Sequence, residues 1–143
     1  MRYHFKVHKE KNGYWAECLE KGMHVNSQGE TLDELKAMLQ DALDLVMDEP
    51  MDSDRILPEP DPAIRGRNII EVQVSPKIAM ASTVRVTRLK AGLTQKQVAD
   101  KMGIKTLSTY QKLEASKTAN PEWLTIVRLK HALPGFPLEL CAA

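Results

Sequence analysis

Two cysteines, Cys18 and Cys141, are the only thiols in 143 residues, and they stand near opposite ends. They form neither a disulfide framework nor a Cys-x-x-Cys metal pair, so a stapled secreted domain and a zinc ribbon are excluded. The expected compartment is the reducing cytoplasm. Aromatic residues make up 5% of the chain, so any core must rest on aliphatic side chains and methionine. No apolar run approaches the roughly 18 residues of a membrane span. The N-terminus has no apolar h-region, so neither membrane insertion nor secretion is expected. Motifs that carry chemistry are missing too. There is no glycine-rich phosphate loop, no nucleophile elbow and no His-Glu-x-x-His. The chain reads as a non-enzyme, without catalytic residues, metal or cofactor.

Charge of one sign is abundant in each half and cancels in the whole, leaving a net +1. Residues 1–62 carry 7 Lys/Arg against 14 Asp/Glu, a net of −7. Residues 63–143 carry 13 against 5, a net of +8. An acidic front and a basic back point to two domains with two kinds of partner.

The acidic half alternates. Tyr3, Phe5 and Val7 fall on one face of a strand, and His4, Lys6 and His8 on the other. His4 and His8 are then about 13 Å apart (four steps of roughly 3.3 Å), which fits exposed surface rather than a metal pair. Lys11-Asn12-Gly13 reads as a hairpin turn that tolerates positive φ. A second strand follows at Tyr14–Leu19, with Cys18 a small buried or half-buried residue, and a third at Met23–Asn26. Thr31-Leu-Asp-Glu34 is a capping box. It opens a helix with an apolar stripe of Leu32, Leu35, Leu39, Ala42, Leu43 and Val46. Residues 50–68 hold four prolines and form an irregular excursion. Ile69–Val74 alternates again and returns as a strand. The predicted order is β-β-β-α-β, and the predicted domain is 1–75.

From Pro76 to the end, residues 76–143, the pattern is short helices. They span Ser82–Ala91, Thr94–Met102 (opened by the capping box Thr94-Gln-Lys-Gln97), Thr106–Ala115, and Asn120-Pro121 to about Leu133. Leu138–Ala143 fits helix or strand equally. Residues 84–133 carry 10 Lys/Arg against 3 Asp/Glu. Two helices joined by a tight glycine turn in a basic all-α cluster read as a helix-turn-helix.

The run Gly92-Leu-Thr-Gln95-Lys-Gln-Val-Ala-Asp-Lys-Met-Gly103 resembles the first half of the Xre/Cro-type helix-turn-helix, and Leu113-Glu114, Asn120-Pro121 and Leu124 continue it. The resemblance implies that Gln95 approaches DNA. It also implies that Arg88 pairs internally with Glu114. Gly103 to Glu114 is one residue longer than usual, which enlarges the turn around Lys105–Leu107. Register counted back from Glu114 puts Thr106, Leu107, Ser108 and Lys112 toward the bases. Register counted forward from Gly103 shifts them by one. The first is preferred because Tyr110 and Leu113 then fall inward. Leu107 can offer only apolar contact with a thymine methyl. Lys96, Lys105 and Lys117 are candidate phosphate ligands. Val98, Ala99, Tyr110, Leu113 and Leu124 are expected core.

The order β-β-β-α-β, with Gly13-Tyr14 after the first strand and Gly29-Glu30-Thr31 before the helix, resembles the HicB antitoxin family. So do Lys105-Thr-Leu-Ser-Thr-Tyr110-Gln-Lys-Leu-Glu114 and Lys117-Thr-Ala-Asn-Pro121. The turn at residues 18–23 departs from the family's usual Leu-Pro-Gly-Cys-like form. The resemblance implies an α+β chain: a partial ribonuclease-H-like domain without catalytic acids, then an all-α helix-turn-helix domain. It implies an antitoxin that neutralises a small basic HicA-type ribonuclease toxin and represses its own operator DNA. Glu17 and Glu20 are candidate toxin contacts. A homodimer, or a tetramer of paired dimers, is expected. The competing reading is a ligand-sensing regulator in which Tyr3, Phe5, Tyr14 and Trp15 line a small-molecule pocket.

Overall fold

The computed structural model describes residues 1–141. β1 (Arg2–Glu10), β2 (Gly13–Cys18) and β3 (Asn26–Gly29) form a meander, and β4 (Ile69–Gln73) returns to the free side of β1. The sheet order is β3-β2-β1-β4 with every pair antiparallel. Side chains alternate along the strands, so the register fixes two faces. Tyr3, Phe5 and Ala16 are buried on one of them. Helix α1 (Leu32–Met47) follows β3 and buries Leu35, Leu39, Leu43 and Met47, a spacing of four that keeps one stripe inward. Leu32, expected in that stripe, is 45% exposed. Trp15 pairs with His8 across the strands and its ring stacks on the imidazole at 4.1 Å. That is the face opposite Tyr3, Phe5 and Tyr14, so these four aromatics do not line one pocket.

Glu10 pairs with Gly13, leaving Lys11-Asn12 as a two-residue turn. Gly13 has φ +154°, and a Cβ there would stand 2.5 Å from the Gly29 carbonyl oxygen. The glycine answers the close approach of β3 as much as the turn. The third strand begins later than the alternation predicts, at Asn26. Met23 and Val25 are buried, so their period is a true core signal. Only one ladder bond, Cys18 N–H to the Val25 carbonyl at 2.9 Å, precedes the regular pairing.

The second half is helical: α2 (Pro76–Lys90), α3 (Gln95–Lys101), α4 (Leu107–Gln111) and α5 (Trp123–Ala132), then a single 3-10 turn at Leu138–Cys141. Residues 142–143 of the ambiguous last segment lie outside the described residues. Its core gathers Val84, Val98, Ala99, Met102, Tyr110, Leu113, Ile126, Leu129, Leu133 and Phe136. Three boundaries differ from the sequence reading. Helix α2 starts at Pro76 rather than Ser82, because proline with its fixed φ suits a first helical position. Helix α4 stops at Gln111 rather than Ala115. There the N–H groups of Leu113 and Glu114 turn to Tyr110 and Gln111, three residues back, and tighten the chain. Helix α5 starts at Trp123 after Glu122, not at Asn120-Pro121. Leu124, expected in the core, is 58% exposed, because it falls off the buried stripe of Ile126, Leu129 and Ala132.

The chain divides into two compact units. One is Met1–Met47 with Leu57–Ser75; the other holds everything from Pro76 and also Asp48–Ile56. The sequence reading assigns the whole excursion 50–68 to the first domain. Hydrogen bonds from Ser116, Arg85 and Gln95 to Asp48, Glu49 and Met51 instead attach the segment 48–56 to the helical unit.

Candidate nucleic-acid interface

The turn between α3 and α4 is built by its glycine. Gly103 takes φ +72°, where the chain reverses after Met102. The Ile104 N–H returns to the Ala99 carbonyl at 2.9 Å. At its other end α3 is closed by a full capping box. Gln97 N–H donates to Thr94 Oγ1 at 3.1 Å, and Thr94 N–H to Gln97 Oε1 at 2.8 Å. The enlarged turn runs through Lys105 and Thr106 before α4 begins at Leu107.

Arg88 and Glu114 tie α2 to the turn that follows α4. Arg88 Nε meets Glu114 Oε1 at 2.6 Å and Nη2 meets Oε2 at 3.0 Å, a two-pronged pair. Tyr110 Oη donates to Glu114 Oε1 at 2.6 Å, and Arg88 Nη1 to the Leu93 carbonyl at 3.0 Å. Glu114 is completely buried. Burial works against the Arg88 charge, and the Glu114 hydrogen bond outweighs it, so its pKa is raised. Burial, then Glu114, pushes the Tyr110 hydroxyl upward, so it stays a donor.

Tyr110 and Leu113 point inward. Thr106, Leu107, Ser108 and Lys112 are exposed, as are Lys96, Lys105 and Lys117. Every residue from Lys105 to Thr109 is exposed, so either register leaves its side chains at the surface. Gln95 differs from the free side chain the resemblance implies. Its Nε2 donates to the Met51 carbonyl at 2.9 Å and to Glu114 Oε2 at 3.0 Å. Its Oε1 accepts from Gln111 Nε2 at 3.0 Å. Both polar atoms of its side chain are engaged within the unit.

Sequence reasoning missed three residues here. Thr109 lies exposed on α4, its hydroxyl 2.5 Å from that of Thr106; two threonines three apart at a helix start were the available signal. Gln111, which clamps Gln95, gives no sequence signal. Arg85, read only as part of the basic charge, is 1% exposed. Its Nη1 donates to the Glu49 carbonyl at 3.4 Å, while Nε and Nη2 have no partner among the described residues. Burial lowers its pKa, with Glu49 opposing.

In the first unit, Glu17 is exposed on β2, its carboxylate 3.5 Å from His8 Nε2. Glu20 is not a surface contact; it is 4% exposed. It accepts from the His4 N–H, and its Oε1 lies 2.6 Å from His4 Nδ1. His4, expected on the surface, is drawn inside by this pair. Cys18 Sγ donates to Glu20 Oε2 at 3.1 Å. Burial, then that hydrogen bond, pushes the thiol up to about 12, so it stays protonated at neutral pH. Burial works to raise Glu20, but hydrogen bonds from His4 and Cys18 prevail and hold its carboxyl below the usual value. No group of three His, Cys, Asp or Glu able to hold a metal occurs among the described residues. None of their helices is long and apolar enough to cross a membrane.

No curated protein matches the chain. Residues 84–129 match the family model Helix-turn-helix, a span that begins inside α2 and runs into α5. The match supports DNA binding and transcription regulation by the second unit.

Proposed function

We propose that the protein is an antitoxin and autorepressor of the HicB kind. In this reading the second unit binds operator DNA as part of a homodimer or a tetramer of paired dimers. The first unit, a partial ribonuclease-H-like fold, binds and neutralises a small basic ribonuclease of the HicA type. The chain itself is not an enzyme, needs no cofactor and works in the cytoplasm.

The observation that carries the reading is the joining, in one chain, of an acidic β-β-β-α-β unit to a basic helix-turn-helix unit. The first unit holds 8 Lys/Arg against 11 Asp/Glu, a net of −3. Such a surface favours encounter with a basic partner. Glu17, exposed on β2, remains the candidate contact; buried Glu20 supports the loop beneath.

The test is co-expression with the small basic protein encoded beside it. The expected result is a stable complex in which ribonuclease activity is lost, weakened several-fold by Glu17→Lys. A neighbour that is neither bound nor inhibited overturns the antitoxin half. Light scattering of the free protein at micromolar concentration is expected to give a dimer or larger; a strict monomer overturns the oligomer.

A further inference from the structure

Asp48–Ile56 follows α1 in sequence, yet it lies on the helical unit. Three of its groups hold it there. Asp48 Oδ1 accepts from Ser116 Oγ at 2.5 Å. The Glu49 carbonyl accepts from Arg85 Nη1 at 3.4 Å, and the Met51 carbonyl from Gln95 Nε2 at 2.9 Å. The segment is also closed on itself, by Glu49 with Arg55 at 3.0 Å and by Ser53 N–H to the Pro50 carbonyl at 3.0 Å.

Its charge opposes its surroundings. Residues 48–56 hold 4 Asp/Glu and 1 Arg, a net of −3. Residues 76–143 hold 11 Lys/Arg against 4 Asp/Glu, a net of +7. The segment therefore brings the unit down to +4. Its place matters more than its sum. In a docked helix-turn-helix the first helix of the pair crosses the DNA backbone. That helix is α3, and its first residue is Gln95, the one Met51 engages. Asp52 and Asp54, both exposed, stand beside that contact in sequence. Carboxylates there oppose arriving phosphates.

The hold is also a poor one. Arg85 is fully buried beside Glu49 with two guanidinium nitrogens unpartnered among the described residues. A buried charge without full partners is costly.

We propose that Asp48–Ile56 is an autoinhibitory strap, which while docked blocks phosphate contact at the start of α3 and must lift for DNA to bind. The proposal rests on the DNA-binding reading of the second unit.

The test is a lock. The full chain with Cys18→Ser and Cys141→Ser carries Asp48→Cys and Ser116→Cys, and binding to a labelled duplex of mixed sequence is read by anisotropy. The oxidised protein is expected to bind at least tenfold more weakly than the same protein reduced. Equal binding in the two states overturns the strap alone. No binding by the reduced protein overturns the DNA reading, and the strap with it. A crosslink that does not form on oxidation shows that the strap is not docked, and overturns it. A second pair of variants guards against misfolding. Asp52→Asn/Asp54→Asn is expected to strengthen binding several-fold more than Asp33→Asn/Asp41→Asn on α1. Equal gains mean that charge acts at a distance, and overturn the strap.

Discussion

Single carboxylates decide much at the residue scale. Glu114 accepts hydrogen bonds from Arg88, Tyr110 and Gln95 at once, fully buried. Removing Arg88 leaves that charge uncompensated, which costs about 3–5 kcal/mol. Arg88→Met is therefore expected to lose that much in urea denaturation, and Arg88→Met/Glu114→Gln to recover part. A double variant no more stable than the single one would place the cost elsewhere than in the stranded carboxylate. Glu20 makes the matching prediction for the first unit. Its folded pKa is depressed, so its contribution is present above the unfolded value near 4.5 and lost as pH falls through the lower folded value. Glu20→Gln is expected to cost about 1–3 kcal/mol at neutral pH, through weaker bonds to His4. The variant should also lose less of its remaining stability below pH 4.5. Melting profiles that stay parallel in acid would show that Glu20 does not couple folding to protons.

At the scale of elements, the proposed DNA-facing surface is the short helix α4 with the long turn before it. Tyr110 and Leu113 are anchored inward and Ser108 is turned outward at the start of the helix, the position proposed to read base edges. Lys105, exposed in the turn, is the proposed phosphate contact. Lys105→Ala is expected to weaken binding alike on every sequence and to flatten the salt slope by about one. Ser108→Ala is expected to change sequence preference instead, measured by selection from a random duplex pool. An unchanged preference would shift the reading register by one. Elements were legible where one local rule governed them. Alternation marked β1, an apolar stripe at spacings of three and four marked α1, and Thr94 with Gln97 marked the start of α3. The internal partner of Arg88 was visible through resemblance. Long-range partners were not visible. Nothing local tells that Glu20 turns in to meet His4, sixteen residues away. Nor does any local signal attach Met51 to Gln95 or Gln111 to Gln95. Leu124 was misplaced because the inward stripe of α5 is Ile126, Leu129 and Ala132, and Leu124 falls on the other side of that helix.

Over the whole molecule, the net charge of +1 is the sum of three separate parts. The first unit carries −3, the segment 48–56 another −3, and residues 76–143 +7. The acidity of the front half thus belongs in large part to a segment that lies on the helices. Net charge governs solubility; DNA affinity follows the phosphates that local cations neutralise. Lys96, Lys105, Lys112 and Lys117 are exposed on the helical unit. If each displaces a counterion, log K against log salt should fall with a slope of about −3 to −4 per subunit. A protein acting through its net charge alone would give about −0.9. Anisotropy titrations of the full chain on one duplex across a salt series distinguish the two. A slope shallower than about −2 per subunit would mean that fewer than half of these lysines meet phosphate.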